Sequence, residues 1–518
     1  MAAVNATAYD EVAYPSYVYP QTHPDRLSTL ATLFGMNPAP VEACRVLELG
    51  CAAGGNIIPM AFDLSGGSFL GIDLAVTAIA QGQEMIRMLD MRNISLRQAD
   101  LMTLSNDLGQ FDYIIAHGLF SWVPDAVRDR ILAICRAHLA PQGVAYISYN
   151  TYPGCRLREI ARDIMRFHSK DTQKAAEKVG QSRAVIKWIA EAQTEANSYA
   201  TFLCEMNARL GKRDDGSIYH DELADINIPL YFHQFAKHAS EHGLQFLSEA
   251  DFFEASPDSN FADEAMRKLD QLGEDNVLAR EQYLDFLKGR SFRQTLLCHY
   301  EVPLSRRIGP ERLNVLLIKS QAQPVSSTPN IESKSPEEFR AEHGATATTN
   351  QPLSKAAFFY LAQIYPRAIS FEELVTQARM LTNSNETTIA EDTAMLADVM
   401  LKTYGVGVIE LHTHEPAYSV EPSAFPVASP IARLQLKQSN VVTTLLHNSL
   451  RLEDELARQL LSLLDGTRDR SALIQELTRM IESGSKYASG EKEAMLGVLT
   501  TRLEEKLVEL GKLGLLLA

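Results

Sequence analysis

Nowhere in the chain do two cysteines stand at C-x-x-C spacing. The six present, Cys44, Cys51, Cys135, Cys155, Cys204 and Cys298, are scattered over 518 residues. That argues against a cysteine-built zinc site and a disulfide framework, and makes a reduced, cytoplasmic compartment the expected location. Apolar runs of spanning length are also missing, the longest being broken by Gly, Pro or charge, so no membrane insertion is expected. Residues 1–10 have no basic stretch followed by an apolar one, and no secretory signal is read there. Positive charge is scarce: 49 Lys and Arg against 65 Asp and Glu give a net charge of −16. A surface built to grip phosphates is therefore not expected, and nucleic acid is excluded as a partner. No internal repeat is evident, and no metal is expected.

What is present is apolar content of 46%, enough for the two to four domains that this length suggests. In the first third, the buried-strand patterns Arg45–Leu49, Phe69–Ile72, Phe111–Ala116 and Val144–Tyr149 alternate with helical patterns such as Ala75–Leu89 and Ala126–Leu139. Such alternation predicts an α/β fold, a parallel sheet with helices on both faces. Helical, charge-rich sequence follows from Arg156 to Leu210. Phe232–His242 then reads as an amphipathic helix, and Leu244–Leu247 and Phe292–His299 as strands. These late elements would complete a seven-stranded sheet, making the first domain discontinuous. The stretch 320–351 has a linker composition. Three helical patterns and a hairpin pattern (Val406–Leu411 and Ala417–Val420) then suggest a winged helix, and 421–518 reads as mostly helical.

The strongest local signal is Glu48-Leu49-Gly50-Cys51-Ala52-Ala53-Gly54-Gly55-Asn56, where a buried strand runs into a small-residue loop that opens a helix. Small residues allow a ligand close to the backbone, and helix-start N–H groups favour a carboxylate. Asp73 ends the next strand, with Leu74 after it, 23 positions beyond Gly50. A carboxylate there can accept from both ribose hydroxyls. Asp100, with Leu101 beside it, can accept from an adenine amino group, although an Asp after a strand is also a common helix cap. Ala52 breaks the three-glycine dinucleotide pattern. Past the fourth strand, His117-Gly118-Leu119-Phe120-Ser121-Trp122-Val123-Pro124 lies at the ligand-facing sheet edge. Asn150 and Tyr152 follow the fifth strand, and an aromatic segment containing Tyr14 and Tyr17 precedes the first.

These residues resemble class I S-adenosylmethionine-dependent methyltransferases. The resemblance implies S-adenosylmethionine as cofactor, with Glu48, Gly50, Cys51, Ala52, Gly54 and Asn56 at the methionine end, Asp73 and Leu74 at the ribose, Asp100 and Leu101 at the adenine, and His117 near the reacting methyl. The segments YPSYVYPQTHPDRLSTLATLFGM, HGLFSWVP, YNTYPG, LYFHQFAKHASEHGLQFL, FRQTLL, SPIARLQ and LLDGTRDR narrow the likeness. They are similar to a bacterial family of methyltransferases with a methyltransferase regulatory domain and a winged-helix C-terminal part. Its best-understood members resemble rickettsial protein-lysine methyltransferases that modify an outer-membrane protein. Cys155 stands where that family leads us to expect Trp.

The implied architecture is a seven-stranded Rossmann-like methyltransferase domain with helical insertions, followed by winged-helix and helical C-terminal domains. Residues 1–155 form the cofactor-binding core, 156–222 a helical insertion where a second copy would dock if the chain forms a homodimer, and 223–319 a regulatory region completing the sheet. Residues 320–351 are the linker, 352–420 the winged helix and 421–518 the helical domain. The expected reaction is methyl transfer to a lysine side-chain nitrogen of a protein. His117, Asn150 and Tyr152 are the catalytic candidates, and Tyr14, Tyr17, Trp122, Asn150 and Tyr152 the acceptor wall. The alternatives are a small-molecule methyltransferase and a non-catalytic cofactor sensor with a binding module. Over Pro352–Val420, four basic residues face eight acidic ones, which disfavours DNA. His412 and His414 read as solvated wing residues.

Overall fold

The structure is a computed structural model. It describes all residues except 1–11, 13–16, 106, 253–260, 274–275, 343, 383–387 and 484–488. Seven strands form one sheet: β1 (Arg45–Leu49), β2 (Ser68–Asp73), β3 (Ile94–Gln98), β4 (Phe111–Ala116), β5 (Leu139–Asn150), β6 (Leu244–Glu249) and β7 (Phe292–His299). Their spatial order is β3-β2-β1-β4-β5-β7-β6. The first five pair in parallel, while β7 runs antiparallel to both β5 and β6. The late strands do close the sheet, so the domain is discontinuous.

Period-two alternation sorts the strand residues between two cores. Val46, Tyr113, Ile115, Val144 and Tyr146 belong to one face. Leu47, Leu49, Ile114, Ala116, Ala145 and Ile147 belong to the other. On the first face lie α1 (Pro24–Leu33) and α2 (Ile57–Asp63), and α3 (Val76–Met88) contributes Ile79. On the second lie α4 (Asp125–His138) and, much later in sequence, a helix at Phe232–Glu241. Between β5 and that helix come α5 (Cys155–His168), α6 (Ala175–Glu191), α7 (Ser198–Gly211) and α8 (Asp215–Glu222), which carry a small core of their own. The Phe232–Glu241 helix is α9. Helices α10 (Asp263–Gly273) and α11 (Val277–Lys288) precede β7.

Residues 320–351 are not a linker. They contribute the strands β9 (Gln323–Pro324), β10 (Glu337–Arg340) and β11 (Thr346–Thr349), which form a sheet of their own. Two features that polar composition conceals explain this. Phe339, Ala341 and Ala322 are buried in the same core that covers the methyltransferase sheet. The buried Lys355 ammonium donates to the carbonyls of Asn330, Ser333 and Ser335, which pins the chain around it. The hairpin expected at Val406–Leu411 and Ala417–Val420 also does not form. Its first half gives β13 (Glu410–His412), which pairs with β8 (Leu317–Lys319), as does β12 (Ile369–Ser370). The short hairpin of the C-terminal part is instead β14 (Val441–Thr443) and β15 (Ser449–Arg451).

Candidate functional site

At the end of β1 the chain turns through Gly50 (φ 76°), Ala52 (φ 47°) and Gly54 (φ 76°). Left-handed backbone suits glycine, and a Cβ on Gly54 would meet the Ile58 side chain at 2.9 Å. Ala52 holds the same region without that freedom. Its N–H donates to Asp73 Oδ2 at 2.8 Å, while Asp73 Oδ1 accepts from Ala75 N at 2.8 Å. Asp73 thus ties the loop to the end of β2 and keeps further lone pairs for ribose hydroxyls.

Glu48 is buried at the centre of this arrangement. Its Oε1 accepts from Asn56 Nδ2 at 2.8 Å, and its Oε2 is buried without a partner. Burial raises its carboxyl to about 7, against the opposing pull of Asn56, and the nearby Asp73 charge adds to the rise. An orphaned acceptor beside a left-handed loop fits a ligand bearing an ammonium group, and S-adenosylmethionine carries one on its methionine end. Asn56 is a junction. Besides Glu48, it bonds Thr22 Oγ1 and accepts from Tyr19 N (3.0 Å), and its Oδ1 lies 3.1 Å from His447 Nε2. The neighbouring Cys51 is buried, and burial holds its thiol well above its usual range, so it is a packing residue rather than a nucleophile.

Asp100 Oδ1 accepts from Met102 N at 2.9 Å, capping a short helical turn. This is the cap expected as its alternative role, and Leu101 lies beside it, half-buried. Leu74 is exposed.

His117 Nδ1 sits 2.9 Å from the Tyr146 hydroxyl, which itself donates to Gln294 Oε1 at 2.7 Å. With the tyrosine proton committed, His117 must donate from Nδ1, and Nε2 carries the lone pair. Burial alone drives the imidazole down to about 3. The Tyr19 ring lies against it, centroids 3.7 Å apart. His117 is thus neutral, a fixed hydrogen-bond acceptor and a poor proton acceptor.

Asn150 is buried, and its Nδ2 donates to Asn227 Oδ1 at 2.8 Å, leaving Oδ1 as the end that can face an amine. Tyr152 has polar partners of its own. Its hydroxyl donates to Glu159 Oε1 at 2.6 Å, the Arg156 guanidinium lies 3.8 Å from its ring centroid, and burial and Glu159 raise the phenol to about 12. Trp122 is half-buried beneath Arg158, and Tyr17 is 38% exposed. Tyr14 lies outside the described residues. Cys155 is buried, its Sγ donating to Ser291 O.

Sequence reasoning missed two ionic networks, one half-buried and one fully buried. His412 Nδ1 lies 2.6 Å from Asp25 Oδ2, and His414 bridges Glu42 and Asp63, each at 3.1 Å. Both histidines are interface residues rather than solvated ones, because β13 and the residues after it lie against α1, the turn Val41–Ala43 and the end of α2. Alternation of His412 and His414 around Thr413 was visible in sequence, but their carboxylate partners lie more than 300 positions away. The other network surrounds Arg293 on β7, fully buried between Glu249 (2.6 Å), Asp285 (2.9 Å) and Glu281 (3.1 Å).

A sheet of this order, with a left-handed small-residue loop after its first strand and an orphaned carboxylate beside it, has the architecture of an S-adenosylmethionine-dependent methyltransferase. The comparisons agree. A methyltransferase domain matches residues 46–143, a predicted methyltransferase regulatory domain 214–299, and a PKMT C-terminal winged-helix domain 425–511. An uncharacterized protein of Rickettsia prowazekii (strain Madrid E) is 31% identical over 491 residues, 93% of this chain and 88% of that one. Another from the same organism is 36% identical over 244 residues, 47% of this chain and 98% of that one. The structure of PKMT2 from Rickettsia typhi in complex with AdoHcy matches with a TM-score of 0.86 and 26% identity, covering 98% of this chain and 100% of that chain. The chain belongs to the family of S-adenosylmethionine-dependent methyltransferases that carry the regulatory domain and the PKMT-type winged helix. The winged-helix match falls on 425–511, the stretch expected to be a helical domain, rather than on 352–420. Among the described residues no helix is long and apolar enough to cross a membrane.

Proposed function

We propose that the enzyme methylates the side-chain nitrogen of lysine in a protein substrate. The observation that carries this reading is the match to PKMT2 of Rickettsia typhi along the whole chain, regulatory and winged-helix parts included. S-adenosylmethionine supplies the activated methyl group. In our reading Glu48, Asp73 and Asp100 hold its ammonium, ribose and adenine, while Gly50, Cys51, Ala52, Gly54, Leu74 and Leu101 shape the walls. Asn150 Oδ1 accepts from the incoming amine and aligns its lone pair for in-line displacement, and alignment of this kind is worth up to ~7–11 kcal/mol. Trp122 and Tyr17 line the approach. Tyr152 acts through Glu159 and Arg156, framing the entrance rather than touching the amine.

The amine must be neutral to attack, and lysine normally titrates near about 10.4. His117, held near 3, does not take that proton. The site favours the neutral amine by excluding water, and Nε2 of His117 receives one of its N–H groups. Calorimetric cofactor affinity and single-turnover rates for Asn150→Ala and Trp122→Ala test the assignment. The expected outcome is unchanged cofactor affinity with turnover reduced on the order of 100-fold for Asn150→Ala. Loss of affinity in proportion to rate would place these residues in the cofactor site instead.

A further inference from the structure

A second constellation, on residues outside those assigned to cofactor and acceptor, lies where the methyltransferase and regulatory segments meet. His238, near the end of α9, and His242, which caps it, are four positions apart and share one helix face. Asp129 on α4 approaches that face. Its Oδ1 lies 2.8 Å from His242 Nε2 and 3.4 Å from His238 Nε2. The three donor atoms all fall within 4.8 Å of one another. In a tetrahedral site with metal–ligand distances of about 2.0–2.2 Å, adjacent donors stand roughly 3.3 Å apart. Two of the three edges are within about half an ångström of that length.

The donor set is two imidazoles and one carboxylate, which suits zinc and neighbouring first-row dications rather than magnesium or calcium. The histidines are 27% and 19% exposed, so a hydrated ion can reach them. Beside them opens a cavity of about 420 Å³ bounded by Asp125, Arg128, Gln234 and His238, leaving a face of the site for water or a fourth ligand. The charged side chains facing the cluster are mostly engaged elsewhere. Arg128 donates to the carbonyls of Phe120 and Ile228, and Lys237 pairs with Glu241.

We propose that Asp129, His238 and His242 form a binding site for a zinc-class divalent cation, and that the ion staples the regulatory helix α9 to α4 of the methyltransferase domain. Coordination through Nε2 leaves each imidazole's remaining proton on Nδ1, and the carboxylate supplies the negative charge. Both histidines had been legible only as members of an amphipathic helix, because their third partner lies more than 100 positions earlier.

The test uses the full chain, stripped with a chelator, exchanged into metal-free buffer and titrated calorimetrically with Zn²⁺ alone. Melting is followed with and without the ion, and Co²⁺ serves as the spectroscopic probe of tetrahedral geometry. Expected are a saturating equivalent of Zn²⁺, a raised melting temperature that chelator reverses, and affinity reduced at least roughly tenfold in His242→Gln and in His238→Gln, since losing even an outer-shell partner costs that much. Asp129→Asn, at a position 63% exposed, provides a variant that leaves the core untouched. Unchanged Zn²⁺ affinity in all three variants, or no saturable binding to the wild type, overturns the assignment.

Discussion

Glu48 and Asn56 show how far a single residue's role can be read before its partners are known. The acid near the end of β1 is expected to be a cofactor residue from its place in the loop motif. Its raised protonation point is not legible there, because that depends on burial and on an amide eight positions later that is itself held from two other segments, the Tyr19–Thr22 turn and His447. With the carboxyl near 7, the free protein increasingly protonates Glu48 below that pH and loses the anion that would meet the cofactor's ammonium. Cofactor affinity should therefore fall roughly tenfold per pH unit below about 7 and level off above it. Asn56→Ala removes the bond that holds the carboxyl down, so the break should move to higher pH. Calorimetry between pH 5.5 and 8.5 checks both, and affinity flat across that range would remove Glu48 from the ligand site. Tyr152 shows the same limit: its position after β5 suggests an aromatic wall, but its partners, Arg156 four positions on against its ring and Glu159 seven positions on at its hydroxyl, emerge only in the fold.

At the scale of elements, β1, β2, β4 and β5 were legible because strands buried on both faces read as continuous apolar runs. β6 and β7 were legible from the same signal despite the helices between them. The invisible part was what fastens the late strands to those helices. Arg293 on β7 places a fully buried guanidinium among Glu249, Asp285 and Glu281, and stacks 3.9 Å from the Phe232 ring centroid. A charged residue in a strand pattern carries no hint of three acids on two other elements. Burial raises Asp285 to about 6 against the pull of Arg293 and Arg290, so the cluster relies on its cations. Arg293→Ala should cost about 3–5 kcal/mol, because it leaves buried carboxylates uncompensated. Chemical denaturation measures this, and a cost below about 1 kcal/mol would mean that water reaches the cluster. The segment 320–351 failed as a sequence reading for a related reason. A few buried residues and one caged lysine outweigh its polar composition.

For the whole molecule, the unexpected feature is how completely the later segments close on the cofactor domain. Residues of β8, β10, β13 and the helices between them share one core with β1, β4 and β5. The turn of the β14–β15 hairpin places His447, in left-handed backbone at φ 54°, against Asn56. The interface is also charged. Burial disfavours the cationic form of His414, but Asp63 and Glu42 outweigh it and raise the group to about 9. A histidine raised in the folded state contributes stability that is fully present below its unfolded value near about 6.5 and lost as pH rises through about 9. Burial likewise opposes the charge on Asp25, yet His412 holds that carboxyl well below its usual range, so its contribution is present at neutral pH and lost in acid. Thermal stability should fall between pH 7 and 10 with a component that His414→Gln removes, and hydrogen exchange should locate the loosening at β13. Identical pH profiles for both proteins would show that the pairing contributes nothing. The central claim, methylation of lysine in a protein, is tested most directly by incubating the enzyme with methyl-labelled S-adenosylmethionine and a lysate of its own source, then hydrolysing the labelled protein fraction to amino acids. The account predicts label in N-methyllysine, absent from a reaction with Asp73→Ala. Label recovered only in small molecules, or in protein at residues other than lysine, would contradict it.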